Sequence, residues 1–498
     1  MKFKVITLGC KVNQYESHAI ESLLKERGFI PLFPSSEGCP KNGVVIPLLR
    51  GMPISNQFPS SEGCPKGGVV QSTSDSGADI YIINTCAVTA ESSANSRKII
   101  KKTRNQNPTS FIAVLGCSSQ LEPDEIKNLG ANIISGTSDR LGFIDEIEKA
   151  VEEAQKAQEP SPCLQKALEP SPCLEEPSSC AISPCAPTAP KFEELPPGNT
   201  ASRTRALLKI QDGCNNFCTY CIVPYIRGRS CSLSLSKIEE YAKLLTKQGY
   251  KEIIITGIEL SSYGELKSST GNKQNLTTAI KTISNTAPGV RLRIGSLHPL
   301  IITDEFCKEL SKIPNLCNHI HISLQSGCDE TLKRMGRKYK ATDVLKSIDL
   351  IRKYFDNDKK LCGITADLIT GFPGETDEEF EQTLNFIKQA KFSSMHIFPY
   401  SQRPGTKAAQ MPNQLPANIK KERAKKAIKI AKEMETEFIK ANIGKNLEVL
   451  FEQEKDGFSK GHSTNYLEVK VKAENLKNTI KTVKINEAKG NTLTGELV

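Results

Sequence analysis

Nowhere in the 498 residues does an apolar run approach the length of a membrane span, which excludes a spanning helix. The opening Met-Lys-Phe-Lys-Val-Ile-Thr-Leu-Gly-Cys is too short in its apolar part for a secretory signal and reads as a first strand. A strong excess of one charge is also missing. Lys and Arg number 66 against 56 Asp and Glu, a net +10 that is compatible with a nucleic-acid partner but does not announce one. These absences predict a cytoplasmic protein with no membrane attachment. Cysteine, in contrast, is plentiful: seventeen residues, which in that compartment point to metal ligands rather than disulfides.

Three of them organise the chain. Gly213-Cys214-Asn215-Asn216-Phe217-Cys218-Thr219-Tyr220-Cys221 spaces its cysteines C-x3-C-x2-C just after the strand-like run Ala206–Ile210. Three thiolates in one turn converge on a single metal centre, and three ligands rather than four leave a corner open for a substrate. This word resembles the signature of radical S-adenosylmethionine (SAM) enzymes. The resemblance implies a 4Fe-4S cluster on Cys214, Cys218 and Cys221 whose free iron binds SAM and whose electron splits it to a 5′-deoxyadenosyl radical.

A second trio lies upstream. Val5–Gly9 ends in Cys10, Ile80–Thr85 in Cys86, and Phe111–Gly116 in Cys117. Short apolar stretches without helical period, separated by helical ones, predict an open parallel sheet over residues 1–150. The first helix is expected over Gln14–Arg27, capped by Asn13 and stopped by Gly28. Such sheets bind ligands at the carboxyl ends of their strands, where all three cysteines sit, so they can meet in space across gaps of 76 and 31 residues. A second three-cysteine cluster site follows.

Two stretches interrupt this plan. Residues 34–74 carry Phe33–Lys41 and its near copy Phe58–Lys66, a duplicated Pro/Gly/Ser-rich insertion expected as a loop, with Cys39 and Cys64 incidental. Residues 151–200 repeat Glu-Pro-Ser-Pro-Cys-Leu and hold Cys163, Cys173, Cys180 and Cys185; this Pro/Ser-rich composition reads as a linker.

From 201 to 432 six strand-like runs alternate with helices: Ala206–Ile210, Glu252–Leu260, Val290–Leu297, His319–Leu324, Ile364–Ile369 and Ser394–Phe398. Repeated βα units predict a partial (β/α)6 barrel with its function at the strand C-termini. With the cysteine turn, Tyr220, Thr256, Gly257, Glu259, Gln325, Gly371 and Gly374 outline a SAM pocket. Cys231, Cys307, Cys317, Cys328 and Cys362 read as packing residues, and His298 as a local hydrogen-bonding residue. No convincing acid–base pair appears, which suits radical chemistry. Asn418–Lys432 is a basic amphipathic helix. Alternating runs in 436–498 predict a small antiparallel β-barrel.

The order of parts resembles the radical SAM methylthiotransferases: a three-cysteine α/β domain, a radical SAM barrel and a terminal TRAM barrel. The words that carry it are Leu8–Asn13, Ile83–Thr89, Lys209–Cys214 and His396–Ser401. Within the family the likeness is greatest to the bacterial tRNA branch acting on threonylcarbamoyl-adenosine. The resemblance implies an auxiliary 4Fe-4S cluster on Cys10, Cys86 and Cys117. It implies two uses of SAM, one to methylate sulfur and one to activate adenine carbon 2 beside the anticodon. It also implies tRNA as partner, held by the TRAM domain, a reductant protein such as flavodoxin or ferredoxin, and a monomer. Three readings stay open beside it: a methylthiotransferase for isopentenyl-adenosine, one for a ribosomal-protein aspartate, and a non-enzymatic RNA-binding metal protein. The chain departs from the family's usual pattern at Arg229-Ser230-Cys231-Ser232-Leu233, at Glu259 and in the long insertion.

Overall fold

Apolar runs that end in glycine or cysteine become buried parallel strands. In the computed structural model, which describes residues 1–32, 77–158, 191–199, 204–264 and 275–498, three of them join two short edge strands in one five-stranded sheet. Its order is Ile30–Pro31, Lys2–Thr7, Ile80–Thr85, Phe111–Gly116, Ile133–Ile134, every pair parallel. Both faces are covered. Ile80 and Ile82 pack with Ile20, Leu24 and Phe143 on one side. Tyr81 and Ile83 pack with Ile100, Ile112 and Ile126 on the other. The final helix of this layer, Arg140–Gln158, runs beyond residue 150. Residues 191–199 also pack onto the layer: Leu195 is buried and its carbonyl accepts the Tyr15 hydroxyl at 2.5 Å. The expectations for the insertion 34–74, with Cys39 and Cys64, and for Cys163, Cys173, Cys180 and Cys185 fall outside the described residues.

The first helix starts earlier than its capping pattern suggested, spanning Lys11–Glu26 with Cys10 at the N-cap. Asn13 is therefore not a cap. It is wholly buried, and its side chain ties two strand ends together (below). Gly28, at φ +85°, ends the helix as expected.

In the central domain the six strands are present and all parallel. Arg205–Lys209, Glu252–Thr256 and Arg291–Ile294 make one sheet; Ser296–Leu297, His319–Gln325, Gly363–Thr370 and Ser394–Pro399 make the next. The third strand is broken at Gly295, so its first half pairs back to the second strand and its second half forward to the fourth. A glycine suits that bend: a Cβ there would stand 3.0 Å from the Ile255 carbonyl. The second strand stops at Thr256 rather than Leu260, which lies in a short 3-10 turn. Ile253, Ile255, Ile320, Ile322, Ala366, Leu368 and Ile397 pack outward under the helices in the main core. Residues at the alternate positions therefore line the concave face.

The open side of this partial barrel is covered by the first helix, whose Tyr15 and Ala19 pack on the inward-facing Leu207 and Ile254. The basic helix of the sequence extends over Ala417–Lys440 and buries Ala424, Ala427, Ala431 and Met434. Its Arg423 is also buried, paired with Glu375 at 2.6 Å, so part of its positive charge is structural rather than displayed.

The C-terminal barrel is closed, in the order Asn446–Lys455, Phe458–Ser463, Glu468–Val471, Thr492–Leu497, Ile480–Lys489. It is antiparallel except for Glu468–Val471 beside Thr492–Leu497, which run parallel. The turn after Ser463 plugs the N-terminal ends of the central strands. Buried Glu252 holds Arg291 at 2.6 Å and Arg293 at 2.9 Å. These guanidinium groups donate onward to the carbonyls of His462, Ser463 and Thr464 at 3.1–3.2 Å. Tyr466 floors the barrel, its ring 4.8 Å from the Arg293 guanidinium and 4.9 Å from His319.

Candidate functional site

Cys10, Cys86 and Cys117 leave three neighbouring strands at the same edge, each through a tight turn. Gly9 has φ +99°, and a Cβ on it would lie 2.7 Å from Cys86 Sγ. Gly116 has φ +106°, and a Cβ there would lie 2.5 Å from the Thr85 carbonyl and 2.6 Å from Asn84 Oδ1. Only glycine lets the strands end this close together. Asn13 Nδ2 closes the turn by donating to the carbonyls of Leu8 at 2.9 Å and Thr85 at 2.8 Å. We expect Gly116→Ala to destabilise the protein by roughly 1–3 kcal/mol through the backbone alone and to lower iron uptake on reconstitution. Thermal unfolding and iron analysis check this; wild-type values for both would refute the role given to the turn.

The three thiols act on one another. Burial pushes Cys86 up to about 12, and the Cys117 and Cys10 sulfurs push it further in the same direction. Cys10 is raised by burial and pulled down by the Arg227 guanidinium, with Cys117 raising it. Beside them Ser118 Oγ is buried without a hydrogen-bond partner.

The second trio is built the same way. Gly213, at φ +67°, lies so close to the Arg229 carbonyl that a Cβ would come within 2.0 Å. The two-residue strands Gln211–Asp212 and Cys231–Ser232 pair to close the base of the loop. The Cys218–Cys221 turn hangs on the barrel through Thr219, whose N–H donates to the Met335 carbonyl at 3.0 Å and whose carbonyl accepts the Ala408 N–H at 2.8 Å. Burial pushes Cys221 up to about 12, with Cys218 and Cys214 adding to it, and pushes Cys214 up to about 11. Arg337, which the sequence reading missed, donates to Cys218 Sγ at 3.3 Å and to the Ser323 carbonyl at 3.1 Å.

The chemistry of the donor sets suits iron–sulfur clusters: each trio is made of free cysteines, and three thiolates leave one corner of a four-iron cluster open.

The trios share a wall. Ile222 and Ile226, which follow Cys221, pack directly on Cys117 and Ala87. Thr137 Oγ1 donates to the Ile226 carbonyl at 2.8 Å. Behind this wall lies an ion network that sequence reading did not find. Buried Glu16 Oε1 accepts from Arg140 at 2.7 Å, Arg227 at 2.9 Å and Lys209 at 3.0 Å. Asp212 pairs with Lys209 at 2.7 Å and Arg227 at 3.1 Å, and Glu193 pairs with Arg140. Three cations face three carboxylates, so the cluster is neutral. Arg227 also donates to Asn13 Oδ1 at 2.9 Å, joining the turn after Cys10 to the helix after Cys221.

The residues expected around SAM divide into groups. Glu259 accepts from Asn216 Nδ2 of the cysteine loop at 3.1 Å, and its N–H donates to Gln211 Oε1 at 2.7 Å. Gly257 lies against the same Gln211, and Thr256 ends the strand beneath it. Tyr220 packs edge-on to Phe372, with centroids 6.4 Å apart. Gln325 sits at a strand end in the left-handed region at φ +68°. Gly371 and Gly374 lie in a turn braced by Glu375 and set against Lys420 and Arg334, and the turn reaches the cysteine loop through Phe372. Burial, with Arg337 and Lys338 alongside, pushes His298 down to about 3. Cys231, Cys307, Cys317, Cys328 and Cys362 are buried.

The concave wall carries one more group. His321 Nε2 lies 3.0 Å from Asp367 Oδ2, and His396 Nδ1 lies 3.2 Å from Asp367 Oδ1. Its sequence signal was present, polar residues at alternate positions of apolar strands, but it was read as strand rather than site.

A parallel barrel with a three-cysteine loop at its first strand is the architecture of the radical SAM enzymes. Residues 208–387 match the model of the radical SAM superfamily, and 62–136 match a family described as uncharacterized, UPF0004. The fold resembles the radical SAM methyltransferase TsrM of Kitasatospora setae with TM-score 0.50, 13% identity, 82% of this chain and 77% of that one. The threonylcarbamoyladenosine tRNA methylthiotransferase MtaB of Bacillus subtilis is 34% identical over 97% of this chain and 93% of its own length. MtaB of Thermotoga maritima is 34% identical over 96% and 92%. The tRNA-2-methylthio-N(6)-dimethylallyladenosine synthase of Pelotomaculum thermopropionicum is 30% identical over 91% and 87%. The chain belongs to the tRNA methylthiotransferase family of MtaB. It is a radical SAM transferase. No helix among the described residues is long and apolar enough to cross a membrane.

Proposed function

We propose that this protein adds a methylthio group to carbon 2 of threonylcarbamoyl-modified adenosine next to the anticodon of tRNA. Cys214, Cys218 and Cys221 would hold the cluster that binds and splits SAM, and Cys10, Cys86 and Cys117 the auxiliary one. When bound, the first supplies the electron for SAM cleavage and the second the site of the sulfur to be transferred. The observation that supports this reading is the shared wall, Ile222 and Ile226 packed on Cys117, which brings the loop of the second trio against the first. The chain's own residues do the positioning. Arg337 polarises Cys218, Asn13 fixes the turn after Cys10, and Arg227 joins the two loops. Tyr220, Thr256, Gly257, Glu259, Gln325, Gly371 and Gly374 remain the candidates for SAM contacts, with Glu259 and Tyr220 best placed by their contacts with the cysteine loop and its aromatic support. The C-terminal barrel would grip tRNA. We place the enzyme in the cytoplasm, as a monomer reduced by a small protein such as flavodoxin or ferredoxin.

The test is anaerobic incubation of reconstituted protein with SAM, dithionite and tRNA carrying threonylcarbamoyl-adenosine. 5′-Deoxyadenosine and a methylthio nucleoside are the expected products, and their absence overturns the reading. Product on isopentenyl-adenosine tRNA alone would move the enzyme to the neighbouring branch.

A further inference from the structure

The wall of the barrel facing the first helix is polar from floor to mouth. Tyr466 at the bottom lies 4.9 Å from the His319 ring. His319 Nε2 and His321 Nδ1 both hydrogen-bond Thr365 Oγ1, at 3.0 and 2.8 Å. His321 Nε2 continues to Asp367, and Asp367 to His396. Strand register makes this ladder: His321 stands opposite Thr365, and Asp367 opposite His396. The outward neighbours Ile320, Ile322, Ala366, Leu368 and Ile397 are core, so these polar groups face the concave side.

The ladder also lies near the chemistry. Ser323, two positions and about 7 Å beyond His321 along the strand, gives its carbonyl to Arg337, the residue that donates to Cys218. From the opposite side, the first helix begins at Lys11, the residue after Cys10. Lys11 is partly buried.

A substrate-lining wall of this kind matches one kind of substituent. The two branches among the relatives differ at the adenosine N6 position: threonylcarbamoyl carries a carboxylate, a hydroxyl and urea N–H groups, and dimethylallyl is hydrocarbon. A hydrocarbon set against this wall would strip water from the Asp367 carboxylate and the imidazoles and offer them no new hydrogen bond, which is costly.

Resting on the proposed function, we propose that His321, Asp367 and His396 form the recess that reads the polar N6 substituent of the target adenosine. Asp367 accepts from the urea N–H or hydroxyl groups. The two imidazoles, each hydrogen-bonded to it, hold its carboxylate in place. His396 is a specificity residue here, since its Nδ1 is engaged by Asp367 and its other ring nitrogen is left for the substrate.

The test uses full-length reconstituted protein and three anticodon stem-loop RNAs, bearing threonylcarbamoyl-adenosine, dimethylallyl-adenosine or plain adenosine. Binding affinity and methylthio product are both measured, so the preference ratio between RNAs is read independently of total activity. The wild type should prefer the threonylcarbamoyl RNA over plain RNA. His396→Phe and Asp367→Asn should each reduce that preference about ten- to a hundredfold, the size expected for a lost hydrogen bond to a charged group. His396→Gln, similar in size and polar, serves if the Phe variant does not fold. An unchanged ratio in the His396 and Asp367 variants overturns the proposal. So does a stoichiometric divalent metal in the wild type that Asp367→Asn loses, because the trio would then be an ion site. A wild type that makes no methylthio nucleoside on any RNA is a different failure, that of the proposed function itself.

Discussion

Replacing Cys218 by alanine is expected to abolish SAM cleavage, whereas replacing Cys86 is expected to leave cleavage and abolish methylthio transfer. The two trios are separate donor sets with separate supports. Cys214, Cys218 and Cys221 sit on one loop, anchored by Thr219 to Met335 and Ala408 and polarised by Arg337. Cys10, Cys86 and Cys117 sit on three strand ends, anchored by Asn13, Gly9 and Gly116. Each trio leaves one corner open by ligand count, so removing a single thiolate leaves two donors on a centre that needs three. Serine variants give the milder steric change and should show the same split. 5′-Deoxyadenosine and methylthio nucleoside, quantified by mass spectrometry from one reaction, separate the two activities. A Cys86 variant that still transferred methylthio groups, or a Cys218 variant that still cleaved SAM, would contradict the assignment of the trios.

Both cysteine trios could be read from the chain because their signals are local. C-x3-C-x2-C needs no tertiary information. Three apolar runs each ending in cysteine imply convergence as soon as a parallel sheet is inferred, since parallel strands bring their C-termini to one edge. The six barrel strands were legible for the same reason, their apolar stretches recurring with helices between them. What escaped depends on partners distant in sequence. Glu16 looks like a helical surface residue until Lys209 and Arg227, 193 and 211 positions away, close on it. Asn13 has the composition of a cap, but its neighbours in space are carbonyls of two strands. His321, Asp367 and His396 form a group only through strand register. The strands Phe458–Ser463 and Thr492–Leu497 alternate too weakly, with Ser, Lys, Gly and His or Thr, Gly and Glu, to be told from turns.

Glu16 carries the second large effect. Its carboxylate is wholly buried, and removing it strands Arg140, Lys209 and Arg227 together with only Asp212 and Glu193 to balance them. Breaking a buried network by deleting one charged partner costs roughly 3–5 kcal/mol, a large part of the total for a domain. Glu16→Ala should therefore lower the unfolding midpoint markedly, and Glu16→Gln, which keeps the size and one acceptor oxygen, should do so less. The pH dependence has a definite sign. Burial alone would raise the Glu16 carboxyl, but Arg140, Arg227 and Lys209 hold it well below the ordinary carboxylate range. A depressed folded-state value contributes stability that is complete above the unfolded value near about 4.3 and is lost as pH falls through the folded one. Wild-type stability should accordingly fall in that acid window more steeply than that of Glu16→Ala, so the two curves converge as the pH drops. The network also fixes one cysteine loop against the other through Arg227 and Asn13. In Glu16→Ala protein that remains folded, SAM cleavage should outrun methylthio transfer, raising the ratio of 5′-deoxyadenosine to methylthio nucleoside. An unchanged ratio alongside lowered stability would restrict Glu16 to holding the fold and remove it from the alignment of the two centres.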